Sequence, residues 1–376
     1  MLEPGDVLER VEIGPVAHGG HFIARHEGQV LFVRHAITGE SVDVRITEVG
    51  RRFARADAVA IRSASEHRVE PPCAVAGRCG GCDFQHVEPA FSRELKRRVV
   101  AELLGHLAGV EFTGEVEEVQ PSPLGWRRRM RYHRDPRGRA GLRAHRSAEV
   151  VALPTSGCLI ADPGIARPAA GRPAAGDLLA VAAESGALLL DPPDRRTVTE
   201  QVGAHSFEVA AAGFWQPHRH APEVLTTRVR DGLAPQPGET ALDLFCGVGL
   251  FAASLADAGA HVWGIEGDRR AVELARRNVP SARFSSGDVL ARMDRVPDRA
   301  DVVVLDPPRT GAGAPVIAAV AARRPRAIAY VACDPAALGR DLATASGLGY
   351  RTVAVNAYDL FPLTHHVECV AILEAR

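Results

Sequence analysis

Two residue types that together can carry out covalent chemistry stand near the C-terminal end of the sequence. Cys333 follows the apolar run 327–332 and precedes Asp334-Pro335, where a helix is expected to begin. The positive end of a helix dipole favours the thiolate, which is the nucleophilic form of cysteine. Glu368 precedes the apolar run 369–373, and a carboxylate is costly in a buried strand unless it is paired or functional. The sequence therefore predicts a nucleophile, Cys333, and a general base, Glu368.

A glycine turn follows the first predicted strand of the C-terminal half, residues 240–245. Gly247 and Gly249 allow the backbone to turn sharply and to approach a ligand. Glu266 ends the next predicted strand over the same crevice, where a carboxylate can accept hydrogen bonds from ribose hydroxyls. A dinucleotide-binding turn would have a third glycine where this sequence has alanine. Together with Asp243 inside the strand, the pattern favours S-adenosylmethionine as the ligand.

Two further carboxylates are predicted to face this crevice. Asp288 lies where a third strand would end and could accept a hydrogen bond from an adenine amino group, although a plain turn explains it equally well. Asp306 begins the run Asp306-Pro-Pro-Arg309, in which the prolines impose a rigid, extended exit from the strand. Amino-group methyltransferases carry an aromatic residue after such prolines, so Arg309 argues against methylation of an exocyclic amine.

Four of the seven cysteines predict a separate metal site. Cys73, Cys79 and Cys82 would lie on one tight loop, because two glycines precede Cys82. Cys158 is the one other cysteine outside the C-terminal half, and it would supply a distant fourth ligand. Zinc sites usually have two separated Cys-x-x-Cys pairs, whereas three close cysteines and one distant cysteine suit a 4Fe–4S cluster. Zinc and free thiols remain the alternatives.

The chain of 376 residues suggests two or three domains. Residues 1–68 contain short apolar runs separated by tight turns, which predicts a small β-barrel of the oligonucleotide-binding type. Residues 69–210 are predicted to form a β-rich central domain that carries the cysteine site, with an exposed loop over 166–176. From residue 211 to 376, continuous apolar strands alternate with helices, which is typical of a Rossmann-like domain with a parallel sheet.

Charge is balanced overall but concentrated locally. The sequence has 45 basic and 46 acidic residues, which excludes a strongly basic protein. Lys96 is the only lysine, so the abundance of arginine reflects the base composition of the genome and argues little for RNA binding by itself. Residues 126–146 nevertheless contain nine arginines and one acid, and alternation would place Arg127, Arg129 and Arg131 on one strand face. This window predicts an RNA-binding surface, with a plain solvated strand face as the alternative.

The beginning of the sequence is acidic and lacks the basic and apolar regions of a secretory signal. No apolar run approaches the ~20 residues that span a bilayer. These features predict a cytoplasmic protein without a membrane partner, and we expect a monomer.

Five motifs, in order, resemble those of the RNA 5-methyluridine (uracil-C5) methyltransferases. They are Phe214-Trp-Gln216, the run 242–249, Asp306-Pro-Pro-Arg309, the run 331–335 and His366-Val-Glu368. The resemblance implies methylation of carbon-5 of uracil, with Cys333 adding to carbon-6 and Glu368 removing the carbon-5 proton. It also implies cofactor contacts from Gln216 and Phe245, in addition to Glu266, Asp288 and Asp306. The sequence departs from the family at Pro217, His218 and Leu250, close to the expected cofactor.

The N-terminal barrel resembles a TRAM domain, and the cysteine spacing is similar to that of family members with a 4Fe–4S cluster. Together these two features imply an enzyme that acts on 23S ribosomal RNA. A transfer-RNA T-loop methyltransferase is the closest alternative. A non-catalytic RNA-binding or ribosome-assembly protein on the same fold is a third possibility, against which Cys333 and Glu368 both argue.

Overall fold

The computed structural model describes residues 2–168 and 177–376, so most of the loop expected over 166–176 lies outside the described residues. In its N-terminal part, six of the described strands form one sheet in the order β1-β5-β6-β4-β3-β2. They are β1 (Val7–Glu12), β2 (Val16–Ala17), β3 (His21–His26), β4 (Gln29–Arg34), β5 (Ser41–Val49) and β6 (Phe53–Ser63). Register shifts between β5 and β6 curve the sheet around one apolar core, to which β5 contributes Val42, Val44 and Ile46.

The central part is rich in antiparallel strands, as expected. The described strands pair in the order β10-β9-β8-β11-β12, and β13 pairs with β14 as a separate hairpin. They are β8 (Arg129–Arg134), β9 (Ala140–Arg143), β10 (Val150–Ala152), β11 (Asp177–Ala183), β12 (Gly186–Leu190), β13 (Thr197–Val202) and β14 (His205–Ala210). Trp126 and Tyr132 are completely buried beneath this sheet, so both side chains pack in the core and neither is available to stack on a base.

The C-terminal part alternates helices with buried strands. The helices are α2 (Ala221–Leu233), α3 (Leu250–Asp257), α4 (Arg269–Asn278), α5 (Ala314–Ala321) and α6 (Pro335–Gly347). The strands are β15 (Thr240–Leu244), β16 (His261–Glu266), β17 (Arg283–Ser286), β18 (Val302–Leu305), β19 (Ala327–Ala332), β20 (Tyr350–Asp359) and β21 (Glu368–Ala375), and a short 3₁₀ helix spans Leu290–Arg295. Strands β17, β16, β15, β18 and β19 lie side by side in that order, and neighbours among them are parallel. Strand β21 follows β19 in the sheet and runs antiparallel to both β19 and β20. Apolar residues are buried on both faces of the sheet, which confirms the expected multi-domain fold with a Rossmann-like C-terminal part.

Two elements that precede the C-terminal part also pack onto it. The short strand β7 (Val116–Glu118) adds to the edge of the large sheet, parallel to β20. Helix α1 (Pro89–Ala108) lies so close to α6 that a Cβ atom on Gly339 would stand 3.0 Å from the Cβ of Leu107. These contacts tie the central segment to the C-terminal sheet. The domain boundaries at residues 68 and 210 stay predictions.

Within the described part of the chain, no helix is both long and apolar enough to cross a membrane.

Candidate active site and cysteine site

The carboxyl edge of the large sheet collects the predicted catalytic residues. Strands β18 and β19 are adjacent and parallel, so they end at the same edge of the sheet. Asp306 directly follows β18 and Cys333 directly follows β19, which places the two residues at neighbouring positions on that edge. Strand β21 runs the opposite way and therefore begins at this edge, with Ala332 paired to Cys369. Glu368 is consequently a close neighbour of Cys333 on the adjacent strand, and its side chain is buried.

Electrostatics at this edge favour the neutral forms of both groups. Burial, together with the carboxylates of Glu368, Asp306 and Asp334, raises the pKa of the Cys333 thiol to about 12, and Arg309 acts in the opposite direction. Burial, helped by Asp306, also raises the pKa of Glu368 well above its usual range. The favourable helix dipole expected from the sequence is therefore outweighed, because three carboxylates and the loss of water act against the thiolate.

Arg309, whose side chain argues against methylation of an exocyclic amine, is also the cation of this edge. Its guanidinium donates to Nε2 of His366 at 3.3 Å. Burial lowers the pKa of His366 to about 3, so the ring is neutral and can accept this hydrogen bond. The loop that carries Arg309 is held by Asp341, whose Oδ2 accepts from the backbone N–H of Ala312 at 2.8 Å. Arg309 is thus positioned beside the two candidate catalytic groups.

The glycine turn after β15 is built as a cradle. Phe245 has a φ of 64°, an uncommon conformation for a residue with a side chain, and its N–H donates to the carbonyl of Ile265 at 2.9 Å. Glu266 accepts from the N–H of Gly247 at 3.0 Å, so one predicted ligand-binding residue holds another in place. A Cβ atom on Gly247 would meet nothing within 4 Å, which shows open space above the turn.

Asp243 supplies a second sign of a missing ligand. Its Oδ2 accepts from the N–H of Ala252 at 2.8 Å, whereas its buried Oδ1 has no hydrogen-bond partner among the described residues. Burial raises the pKa of Asp243 to about 8. Buried polar atoms are almost always paired, so this acceptor suits a donor group from a bound molecule. The open cradle and the unpaired acceptor together fit the amino-acid portion and ribose of S-adenosylmethionine.

The remaining predicted cofactor residues differ in their surroundings. Asp306 lies at the floor of the crevice, where burial and the negative charge of Glu266 raise its pKa to about 7. Gln216 is buried behind β14. Asp288 is exposed and its Oδ1 accepts from Ala291 N at 3.0 Å, so it caps the 3₁₀ helix. Gly249 begins α3 with a φ of 92°.

The three departures from the family pattern are structural. Leu250 is buried in the first turn of α3. Pro217 accepts from the N–H of Arg128 at 2.8 Å, and His218 is completely buried with its ring stacked on Trp126. Pro217 and His218 attach the segment that contains Gln216 to the central sheet.

Phe214, the first residue of the motif Phe214-Trp-Gln216, is a further candidate for contact with RNA. Its side chain is 72% exposed, the largest exposed fraction among the described large apolar residues, although it lies two residues from Gln216. Sequence alone cannot separate an exposed phenylalanine from a core one, and the neighbouring Trp215 is indeed buried. An exposed aromatic ring beside a candidate cofactor residue is suited to stack on a base.

The four cysteines of the predicted metal site come together. Cys73, Cys79, Cys82 and Cys158 line one narrow cavity between the loop 73–82 and the central sheet. Burial raises the pKa of the Cys82 thiol to about 12. No three His, Cys, Asp or Glu side chains in the described part of the chain are grouped as they would be around a single metal ion.

The arginine window divides into a buried part and an exposed part. Arg129 is buried and donates to the carbonyls of Ala210 and Ala211, and Arg128 forms a 2.8 Å ion pair with the buried Glu200. Arg129 is therefore not available to the predicted RNA-binding surface, because it holds the β13–β14 hairpin. The arginines of the window that remain exposed are Arg131, Arg137, Arg139, Arg143 and Arg146.

Comparisons with known proteins agree with this arrangement. The TRAM domain family matches residues 3–59, a general methyltransferase domain family matches 241–307, and the tRNA (Uracil-5-)-methyltransferase family matches 289–376. An RNA methyltransferase of Streptomyces avermitilis is 45% identical over 97% of this chain and 97% of its own. The 23S rRNA (uracil(1939)-C(5))-methyltransferase RlmD of Shewanella piezotolerans is 30% identical over 95% of this chain and 93% of its own.

One solved structure is similar over nearly the whole chain. The tRNA (uracil-54, C5)-methyltransferase of Pyrococcus abyssi, in complex with S-adenosyl-L-homocysteine, aligns with a TM-score of 0.73. The alignment covers 97% of this chain and 99% of that one at 22% identity, so it shows a shared fold.

Proposed function

Since the chain belongs to the uracil-C5 RNA methyltransferases, we propose that it methylates a uracil of 23S ribosomal RNA through a covalent bond between Cys333 and carbon-6. The observation that carries the mechanism is the pairing of β19 with β21, which makes a buried carboxylate the neighbour of a cysteine at the sheet edge. A non-catalytic RNA-binding role would leave this costly arrangement without a purpose.

Carbon-5 of uracil is a weak nucleophile, so the base must be activated before it can accept a methyl group. The Cys333 thiolate forms a bond to carbon-6, and the electrons of the 5,6 double bond move toward carbon-5 and the carbonyl oxygen as an enolate. Arg309, the cation beside the thiol, favours the thiolate. When bound, S-adenosylmethionine would supply an electrophilic methyl group from its sulfonium, and transfer of that group to carbon-5 would break the sulfur–methyl bond and leave S-adenosylhomocysteine.

Glu368 completes the reaction as the general base. After methylation, carbon-5 carries both a methyl group and its original proton. The Glu368 carboxylate removes that proton, the double bond forms again, and the bond between Cys333 and carbon-6 breaks. Because burial raises the pKa of Glu368, its carboxylate is a stronger base than an exposed one.

The methyl donor would lie across the carboxyl ends of β15, β16 and β18. Asp243 would pair its free oxygen with the donor's ammonium, and Glu266 would accept from its ribose hydroxyls in addition to the Gly247 N–H. Besides Asp243, the proposed contacts are Gln216, Phe245, Gly247, Gly249, Glu266, Asp288 and Asp306.

Ribosomal RNA is the favoured substrate because the relative that acts on 23S rRNA matches over nearly its whole length. The similar structure of a tRNA methyltransferase has lower identity and supports the fold alone, so tRNA is the second candidate. Either target uracil must be splayed out of its stack to reach Cys333, which favours single-stranded or looped RNA. A monomer acting in the cytoplasm stays our prediction.

Covalent trapping tests the mechanism. The Glu368→Gln variant, incubated with uridine-containing 23S rRNA fragments and S-adenosylmethionine, should accumulate a protein–RNA adduct that resists denaturation. The double variant with Cys333→Ala should form none. Absence of an adduct in the single variant, with RNA binding intact, would show that the mechanism is wrong.

We also propose that Cys73, Cys79, Cys82 and Cys158 hold a 4Fe–4S cluster. Protein purified without oxygen should contain iron and sulfide and should absorb broadly in the visible range. Cys158→Ser should lose the iron, whereas Cys246→Ala, which removes a buried thiol outside the cavity, should keep it. A colourless wild-type protein with one zinc ion per chain would exclude the cluster.

A further inference from the structure

We infer that His18, in the turn between β2 and β3 of the N-terminal barrel, is a positioning residue for the Cys333 nucleophile. Its Nε2 lies 3.0 Å from Oδ2 of Asp334, the residue directly after Cys333. A residue of the N-terminal barrel thus contacts the backbone neighbour of the reacting group more than 300 positions away. The inference rests on the proposed function of Cys333.

The two carboxylate oxygens of Asp334 have different partners. Oδ1 accepts from the N–H of Ala337 at 2.8 Å and so caps the first turn of α6, while Oδ2 faces His18. Burial alone would raise the pKa of Asp334, but the hydrogen bonds from His18 and Ala337 lower it overall. His18 therefore fixes the side chain that sets both the start of α6 and the orientation of the preceding residue, Cys333.

His18 also changes the charge balance around the thiol. The groups that face Cys333 are Glu368 at the start of β21, Asp306 after β18, Arg309 on the loop that follows and Asp334 on its own segment. Three are carboxylates, and each of them opposes formation of the thiolate. Among them Asp334 is the one that the barrel contacts, and Arg340 of α6 also acts on it. The hydrogen bond from His18 draws the negative charge of Asp334 away from the thiol, which favours the thiolate.

The turn that carries His18 is held against the same edge at a second point. Gly20 has a φ of 78°, and a Cβ atom there would stand 2.9 Å from the Cβ of His365 and 3.3 Å from that of Asp83. His365 lies in the segment that leads into Glu368. The barrel turn thus packs at Gly20 on the segment that leads into Glu368 and contacts, through His18, the residue that follows Cys333. Its position is therefore fixed against both candidate catalytic residues.

Alkylation of Cys333 by iodoacetamide, a neutral reagent, measures the effect directly. Rates are followed across pH in the full-length protein, and mass spectrometry of peptides separates Cys333 from the other six cysteines. His18 is 42% exposed, so its variants should fold. His18→Ala should react about two- to fivefold more slowly at neutral pH, with the profile moved to higher pH, since a partly exposed ion pair has an effect of this size. His18→Lys, which keeps a hydrogen-bond donor at this position, should remain near wild type.

His261→Ala is the matched control, because His261 is an exposed histidine at the opposite, amino edge of the sheet. Its profile should coincide with that of the wild type. A His18→Ala profile that superimposes on the wild-type curve would overturn the inference. A shift of equal size in the His261→Ala control would also overturn it.

A second measurement separates this inference from the proposed function. In the Glu368→Gln background, His18→Ala should slow adduct formation two- to fivefold without changing the affinity for S-adenosylmethionine. An altered cofactor affinity would show that His18 acts on the whole sheet edge, and the inference would be wrong. If Glu368→Gln forms no adduct at all, the nucleophile proposal fails, while the alkylation profiles still report on His18.

Discussion

Lys96, the only lysine of the chain, donates from Nζ to Oδ1 of Asp359 at 2.6 Å, and both side chains are buried. The same ammonium donates to the carbonyl of Phe361 at 3.1 Å. Lys96 lies on α1 and Asp359 ends β20, so the pair anchors the start of the segment 360–367 that leads to Glu368. An ammonium is compact, whereas a guanidinium is a broad planar fork. This difference explains a lysine at this position in a chain that otherwise uses arginine.

Removing the ammonium should destabilise the fold. Burial lowers the pKa of Lys96, and Asp359 opposes that effect by favouring the charged form. Lys96→Met should reduce the free energy of unfolding by about 3–5 kcal/mol, because it leaves the Asp359 carboxylate buried without its partner. Urea denaturation followed by circular dichroism measures the change.

The double variant Lys96→Met/Asp359→Asn should recover part of this loss, since the unpaired charge is then removed. Arg52→Met, which changes an exposed arginine, should stay within about 0.5 kcal/mol of the wild type. A loss below about 1 kcal/mol for Lys96→Met would contradict the anchoring role.

Arginines of the window 126–146 should separate into two classes of variant. Arg143→Gln alters an exposed side chain, so it should weaken RNA binding, reduce the salt dependence by about one unit of slope and leave stability unchanged. Arg129→Gln should instead lower the free energy of unfolding by about 3 kcal/mol, because Glu200 and three backbone carbonyls lose a buried donor. Salt-dependent RNA binding and urea denaturation, measured on both variants, test the division. Equal effects of the two substitutions on RNA binding would contradict it.

The catalytic edge could be predicted from sequence because it depends on local patterns. Continuous apolar runs marked the parallel strands, and parallel strands end together, so Asp306 and Cys333 were expected at the same edge of the sheet. Glu368 was recognisable as a carboxylate heading a buried strand, although its closeness to Cys333 depends on β21 running in the opposite direction.

Long-range pairing accounts for what the sequence could not predict. Alternation correctly placed Arg129 on one strand face but could not show that Glu200, 71 positions later, covers that face. The strand β7 joins a sheet whose other members begin more than 120 residues later. The contact of His18 with Asp334 likewise depends on how the barrel docks, which no local pattern records.

The raised pKa of Asp306 predicts a pH dependence of stability. Burial raises this pKa to about 7. Between about pH 4 and 7, Asp306 is therefore protonated in the folded protein and ionised in the unfolded chain. Without ligand, the contribution of Asp306 to stability is therefore complete below about pH 4 and is lost as pH rises through 7. Asp306→Asn should make the ligand-free protein more stable than the wild type at pH 8, by about 1–3 kcal/mol, and equally stable at pH 4. Thermal unfolding at both pH values checks this prediction, and a variant that is less stable at pH 8 would contradict it.

Phe214 should act on RNA and not on the methyl donor. Its ring is 72% exposed, so Phe214→Ala removes little packing and should unfold at the temperature of the wild type. Stacking of a base on an aromatic ring contributes about 1–3 kcal/mol, so the variant should bind substrate RNA about 5- to 150-fold more weakly. Phe214→Trp should retain most of the affinity, because it preserves an aromatic face. Calorimetric titration with S-adenosylmethionine should give the wild-type affinity for both variants.

Leu348→Ala, which shortens an exposed apolar side chain at the far end of α6, serves as the control and should change neither affinity. Wild-type RNA binding by Phe214→Ala would show that the ring does not contact the bound RNA, and an altered affinity for S-adenosylmethionine would place it in the cofactor crevice instead.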